Sequence, residues 1–424
     1  MKASGRTTIA ILVILLLTLP LLAACSSGDD EEPSPTTQPT AQPTEPPPED
    51  VTFTIGNLTD MTGVSASAQA VINASLDDLI RYFNTENLIP GMKLEVVAYD
   101  GQFNPAKDIP GYEWLREKGS DLIITAVTST PVTLQPRVNK DEILLFSLSG
   151  NLETLVPPGY VFTPTSLPEH EGLTLLKWIA GNDWDYQTKG PARIGGAAWA
   201  EPNAQSFMGM AEAYAKTYPD QFEWVGSYLA PVGTFTWGPE AKALEDCDYV
   251  FTPNPMTTFV KEYRTAGYTG KFMGNGPHVA LLKLVDDANL WDEIDGMLFV
   301  TPSRWWGEDG ELVDLREQLL YENHPDDAET IKRMGGAYNA LDNFYIVLDI
   351  IRVASENVGP TNVDSQALYE AAHTYSITTD GVERYSFTET KRYACNYYGI
   401  YEASRDLQDL YRTDPAWHYH VTEP

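Results

Sequence analysis

The sequence predicts an α/β protein whose folded part begins at about Val51 and divides into two lobes, each a parallel sheet covered by helices on both faces. Three observations carry this. Short runs that are apolar throughout, such as residues 121–126 and 143–146, alternate with stretches of helical spacing. The alternation runs once over 51–165 and starts afresh over 171–300. A folded part of this length also exceeds the usual size of one domain.

The first series opens with 51–58, where Val51, Phe53 and Ile55 face one way as a strand. Residues 60–67 form a loop of small hydroxyl residues. Ile72, Leu76, Leu79, Ile80 and Phe83 make a helix stripe, which Pro90 and Gly91 punctuate before a second strand at 93–98. A helix at 112–117, a strand at 121–126 and a hydroxyl cluster at Thr128-Ser129-Thr130 follow. Pro131 suits the opening of the next helix, and 143–146 is another short strand.

The second series reads as helix 171–180, strand 192–198, helix 205–216 and strand 223–228. Helix 241–246, strand 249–252, helix 259–266 and strand ends at 270–274 and 296–300 complete it. The longest helical pattern covers 327–355, with Gly335-Gly336 a candidate break near its start. Residues 365–373 read as a helix, and the tail alternates as strands, including 397–401.

Ahead of the folded part, Lys2 and Arg6 precede an apolar run over 9–22 that ends in Leu22-Ala23-Ala24-Cys25. The run is short against the roughly 20 residues of a membrane span, and small residues before a cysteine suit a signal peptidase. The site resembles the lipobox of bacterial lipoproteins, which implies a signal peptide over 1–24, a lipid on Cys25 and an extracytoplasmic, membrane-anchored protein. Residues 26–50 hold seven prolines and seven acids, without an aromatic or branched aliphatic side chain. With Cys25 they read as a proline-stiffened tether over 25–50.

The formal charge is −32, of which about −27 stays on 51–424 once the leader and the tether acids are set aside. Such a surface repels nucleic acid and anionic lipid heads, so neither is an expected partner. Apart from Cys25 the thiols are Cys247 and Cys395, either one disulfide or two isolated buried groups. The histidines lack metal spacing; His418 and His420 share one side of a strand only at the chain end, which reads as surface. No metal and no cofactor is expected.

Several segments in order resemble the type I periplasmic solute-binding proteins of ABC importers, particularly the branched-chain amino-acid group. Ile55-Gly56-Asn57-Leu58-Thr59-Asp60-Met61-Thr62-Gly63 is similar to the family's opening strand and Thr-Gly turn. Ile89-Pro90-Gly91-Met92-Lys93-Leu94 and Tyr99-Asp100-Gly101-Gln102-Phe103-Asn104-Pro105 resemble the stretches flanking its second strand. Tyr160-Val161-Phe162, Phe272-Met273-Gly274 and the helical 337–353 continue the likeness. The resemblance implies two Rossmann-like lobes joined by three crossover strands, one lobe over 51–163 with 302–376 and the other over 164–301 with 377–424. It also implies capture of a small polar or amino-acid-like solute between the lobes and delivery to permease subunits, without catalysis.

Thr128 and Ser129 follow a core strand and precede a helix, so their hydroxyls and the helix amides form a cradle for an electron-rich group. The alternative is that this cluster only caps the helix. The resemblance assigns the ligand carboxylate to a hydroxyl at this bend, Thr128 or Ser129, and to a second group after the next strand, at Ser149, Gly150 or Asn151. Where the branched-chain binders place an acid for the ammonium, this chain has Asn275, and Asp60 or Glu201 is the candidate replacement. Trp199, with Glu201 and Asn203, stands where the family offers an aromatic contact. Trp305 is a candidate wall, with a cover over the lobe junction as its alternative.

A hydrolase is the enzyme alternative, but the chain has no Gly-x-Ser-x-Gly elbow, no His-Glu-x-x-His pair and no phosphate loop. A ligand-sensing lipoprotein that keeps the binding fold is the remaining reading, beside an adhesion module.

Overall fold

The computed structural model describes residues 50–379 and 381–424. The expected signal peptide, the lipid on Cys25 and the tether up to residue 49 lie outside the described residues.

The first sheet is built from β1 (Val51–Thr59), α1 (Ala66–Thr85), β2 (Met92–Asp100), α2 (Asp108–Glu117), β3 (Leu122–Thr125), α3 (Thr130–Asp141), β4 (Leu145–Ser147), α4 (Leu152–Leu155) and β5 (Val161–Phe162). Its order is β2-β1-β3-β4-β5, parallel throughout. Strands β3 and β4 are buried along their whole length, which is why they read as apolar runs instead of alternating. The stripe Leu76, Leu79, Ile80 and Phe83 of α1 packs into this core.

The chain then passes through α5 (Pro168–Asn182), α6 (Tyr186–Lys189), β6 (Ala192–Trp199), α7 (Pro202–Thr217), β7 (Phe222–Ala230), α8 (Gly238–Ala243), β8 (Tyr249–Phe251), α9 (Thr257–Thr265), β9 (Lys271–Gly274), α10 (Gly276–Val279), α11 (Leu282–Asp287) and β10 (Leu298–Thr301). It returns to the first lobe as α12 (Glu311–Asn323), α13 (Ala328–Arg333), α14 (Ala340–Val358) and α15 (Ser365–His373), with α12 and α14 packed on α1. A hairpin of β11 (Ser376–Thr379) and β12 (Val382–Ser386) precedes β13 (Tyr397–Ser404) and β14 (Asp409–Tyr419), which rejoin the second sheet. That sheet has the order β14-β13-β10-β9-β8-β6-β7. It is parallel from β7 to β10 and antiparallel where β13 and β14 are added. The parallel core is therefore finished by an antiparallel edge, formed because β13 and β14 are joined by a short turn at 405–408.

Three segments, 163–167, 302–310 and 374–396, cross between the lobes. The first and third run side by side: Thr163 donates its N–H to Arg392 and accepts from Ala394. Arg384 in β12 hydrogen-bonds the Pro302 carbonyl, tying in the second.

The helices differ from the sequence pattern at two places. The pattern over 327–355 is two helices, not one, because Gly335 turns into the left-handed region (φ 83°) between α13 and α14. Helix α12, whose buried Val313, Arg316, Leu319 and Leu320 mix charge with apolar residues, has no clean stripe to announce it. Cys247 and Cys395 are both buried free thiols. His418 bonds Asp414, whereas His420 is buried and stacks on His170, so only the first reads as surface. No group of His, Cys, Asp and Glu placed to hold a metal occurs among the described residues, and none of their helices is long and apolar enough to cross a membrane.

Candidate solute-binding cleft

Both sheets are wound alike, and the first strand of each series (β1, β6) lies between the next two (β2 and β3; β7 and β8). Backbone groups beyond the carboxyl ends of such strands are free to meet a ligand at that point of reversal. Here the ends of β1, β3 and β4 face those of β6, β8 and β9 across one cavity of ≈ 200 Å³. Ser65, Gln69, Thr128 and Ser149 line it from the first lobe, joined by Asn339 and Asn343 at the start of α14. Trp199, Glu201, Asn203, Asn254 and His278 line it from the second, and Ser166 and Ser303 from the crossing segments. Ile72, Phe103, Leu148 and Phe251 supply apolar surface.

The lobes are closed on each other. Leu152 N–H donates to Glu169 at 3.0 Å and Asn151 Nδ2 to Ser206 Oγ at 3.4 Å. On the other side Gly336 N–H donates to the Val279 carbonyl at 2.6 Å, and Arg333 pairs with Asp286.

Of the residues singled out by sequence, Thr128, Ser149, Trp199, Glu201 and Asn203 lie on this wall. Thr128 Oγ1 has no protein partner; it approaches Glu201 across the cleft without hydrogen-bond geometry. Ser149 Oγ donates to the Ala126 carbonyl at 3.3 Å. Trp199 is pinned by its indole N–H to the Thr234 carbonyl at 2.7 Å. Glu201 accepts from the amides of Asn203 (3.0 Å) and Ala204 (2.7 Å), capping α7. Burial pushes its carboxyl up, against the pull of those amides.

The other five stand off the wall. Ser129 occupies the N-cap position of α3 but makes no capping bond, and its Oγ is buried without a partner. Asn151 caps α4. Asp60 is consumed by the loop after β1, accepting from Ser65 N–H at 2.9 Å, Ser65 Oγ at 2.7 Å and Gly63 N–H. Trp305 is buried in the second core cluster, with its indole N–H on Asp409 at 2.8 Å. Asn275 is fully buried, giving its amide N–H groups to Glu171 (2.8 Å) and Asn203 (3.1 Å).

Glu171, in the first turn of α5, is the group sequence reasoning missed. Its carboxylate lies on the cavity wall, accepting from Ser166 Oγ at 2.7 Å and from Asn275. Burial pushes it up to about 7, against the pull of those two donors, with Glu169 adding repulsion. An acid in the first turn of a helix is ordinary dipole pairing, so no pattern singles it out. His278 is held down to about 4 by burial and is neutral. Its Nε2 meets the Thr252 carbonyl at 2.9 Å, and its Nδ1 lies against Asn275, 3.2 Å from the backbone N–H and 2.9 Å from the side-chain oxygen.

A profile of the periplasmic binding protein family matches residues 52–406. The chain belongs to this family. Among solved structures this periplasmic binding protein is similar to a branched-chain amino-acid ABC transporter protein from Thermus thermophilus with bound valine, at 19% identity and a TM-score of 0.75 over 88% of this chain and 97% of that one. A fatty acid ABC transporter substrate-binding protein from Thermomonospora curvata matches at 15% identity and TM-score 0.73, over 88% and 92%. A solute-binding protein from Rhodopseudomonas palustris HaA2 in complex with p-hydroxybenzoic acid matches at 14% and 0.71, over 88% and 98%. No curated protein matches the sequence. These likenesses are of fold, and the ligands named in them differ, so they do not single out the branched-chain group. The fold is that of a transport receptor and not of an enzyme.

Proposed function

We propose that this periplasmic binding protein captures a small polar or amino-acid-like solute between its lobes and delivers it to the permease subunits of an ABC importer, held at the membrane by a lipid on Cys25. The observation that carries the reading is the cavity itself, walled by strand ends of two separate sheets and bridged on both rims. A solute enclosed there loses its water, and its polar contacts strengthen in the drier surroundings. Closure also joins surfaces of the two lobes into one face, which gives a permease something to distinguish from the open form. Thr128 and Ser149 would meet the solute from the first lobe, and Trp199, Glu201 and Asn203 from the second.

Thermal melting and calorimetry of the folded part against amino acids, amides, ureas, amines and aromatic acids test the capture. A solute at a hundred times its Kd is expected to stabilise the protein by about 2.7 kcal/mol, because it binds only the folded form. Silence across all five classes would sink the reading. For the anchor, Cys25→Ser is expected to move the protein from the membrane fraction to the soluble fraction, and an unchanged distribution would refute the lipid.

A further inference from the structure

The cavity wall is rich in acceptors and poor in charge compensation. Its two carboxylates are Glu171 and Glu201, it contains no lysine or arginine, and its one imidazole, His278, is neutral. Each carboxylate has one hydrogen-bonded donor on each oxygen and keeps further lone pairs. On Glu201 the donors are the backbone amides of Asn203 and Ala204, which fix it as the cap of α7. On Glu171 they are the side chains of Ser166 and Asn275, with the Gly276 amide also favouring its charged form. The groups set around it are Glu169 on its own helix and Cys395 and Tyr398 from the third crossing and β13; none brings a positive charge.

A second, independent feature points the same way. Asn339 and Asn343, four residues apart on one face at the start of α14, are 6% and 9% exposed, and each holds an amide oxygen without a partner. Asn254 gives its Nδ2 to the Pro277 carbonyl at 3.0 Å, which leaves its Oδ1 orphaned too. All three line the cavity. Buried acceptors left bare are costly, and a guest that brings N–H donors repairs them.

We infer that the solute is a small organic cation, an ammonium, amidinium or guanidinium with a short apolar body, whose N–H groups face the Glu171 carboxylate and the bare amide oxygens of Asn254, Asn339 and Asn343. The inference rests on the capture reading above and narrows it to a charge class. The apolar body lies against Ile72, Leu148 and Phe251. A carboxylate guest, such as the p-hydroxybenzoic acid of one structural neighbour, would enter a wall without a cation to meet it. The acidic surface raises the local concentration of cations at the cleft mouth.

Calorimetry with n-butylamine, butanamidine, butyrate and valine tests this on the folded protein. The two cations are expected to bind at least ten-fold tighter than butyrate. Near pH 7 their uptake should release a fraction of a proton, seen as heat that varies with the buffer's ionisation enthalpy. Glu171→Gln is expected to lose at least ten-fold in cation affinity and all of the proton release, while keeping a cooperative melt. Should that variant not fold, proton release by the unaltered protein and the ten-fold loss expected for Asn343→Ala decide instead. Butyrate or valine binding where neither cation does overturns the cation class and leaves capture standing. Undiminished cation affinity in Glu171→Gln overturns the residue assignment. If none of the four probes binds, the charge of whichever solute in the wider panel is taken decides the class: a cation supports it, and an anion, a zwitterion or a neutral amide or urea overturns it. Silence from every solute ends both readings.

Discussion

Glu171 sets the pH behaviour at the residue scale. Burial raises its carboxyl to about 7, so the folded form holds the proton more tightly than the unfolded chain does. Its contribution to stability is fully present below the unfolded value of 4.5 and is lost as pH rises through about 7. The loss is at most about 3.5 kcal/mol, since each pK unit is worth about 1.4 kcal/mol. His170 and His420, buried and held down to about 3 and 4, act in the opposite sense as pH falls below their ordinary 6.5. The difference between Glu171→Gln and the unaltered protein isolates the carboxyl, because both share the histidines. Urea denaturation of the empty protein is expected to show Glu171→Gln gaining relative stability from pH 5 to pH 8. A flat difference would refute the buried, cation-free carboxyl. The residues that sequence reasoning placed on the wall follow strand ends directly, where the chain's local order already aims them. Asp60 and Asn275 sit at equally suggestive places, but their polar groups are spent on Ser65 and on Glu171, contacts that sequence spacing does not show.

At the scale of elements, the junction of α13 and α14 forms one of the two rims where the lobes meet. Gly335 has a left-handed backbone, and a Cβ there would stand 2.1 Å from the Val279 carbonyl of the opposite lobe. The neighbouring Gly336 N–H bonds that same carbonyl. Gly335→Ala therefore meets an obstacle present only in the closed form, beyond the backbone strain of about 1 kcal/mol that alanine carries in that region. The variant is expected to fold, to lose at least ten-fold in solute affinity, and to stay expanded in solution scattering when solute is added. Normal affinity and compaction would show that this rim does not govern closure. Helix stripes such as that of α1 were legible because one face alone is buried. The 327–355 pattern ran through the break because residues on both sides of Gly335 pack into the same core, so the apolar spacing carries across a change of direction.

For the whole molecule, charge and topology act together. About −27 of formal charge surrounds a cleft lined by carboxylates. Capture of a cation is steered by that field, and the field's reach shrinks from about 30 Å at 0.01 M salt to about 8 Å at 0.15 M. The association rate, followed by fluorescence of Trp199 on the cavity wall, is expected to fall several-fold over that range, with a much smaller change in the dissociation rate. A rate indifferent to salt would mean that the solute is neutral or that the surface charge lies away from the cleft.

What the sequence determined by itself was the alternation of strands and helices through most of both lobes, and the hydroxyls, acids and tryptophan at strand ends. Those depend on spacing along the chain, and a sheet buried on both faces leaves an unmistakable apolar record. Only the tertiary structure decided which polar groups remain free. Whether a carboxylate faces a guest or another side chain depends on residues more than a hundred positions away, as Asn275 on Glu171 shows. Desolvation, which raises Glu171 and keeps His278 neutral, is a property of the packed molecule and of no single segment.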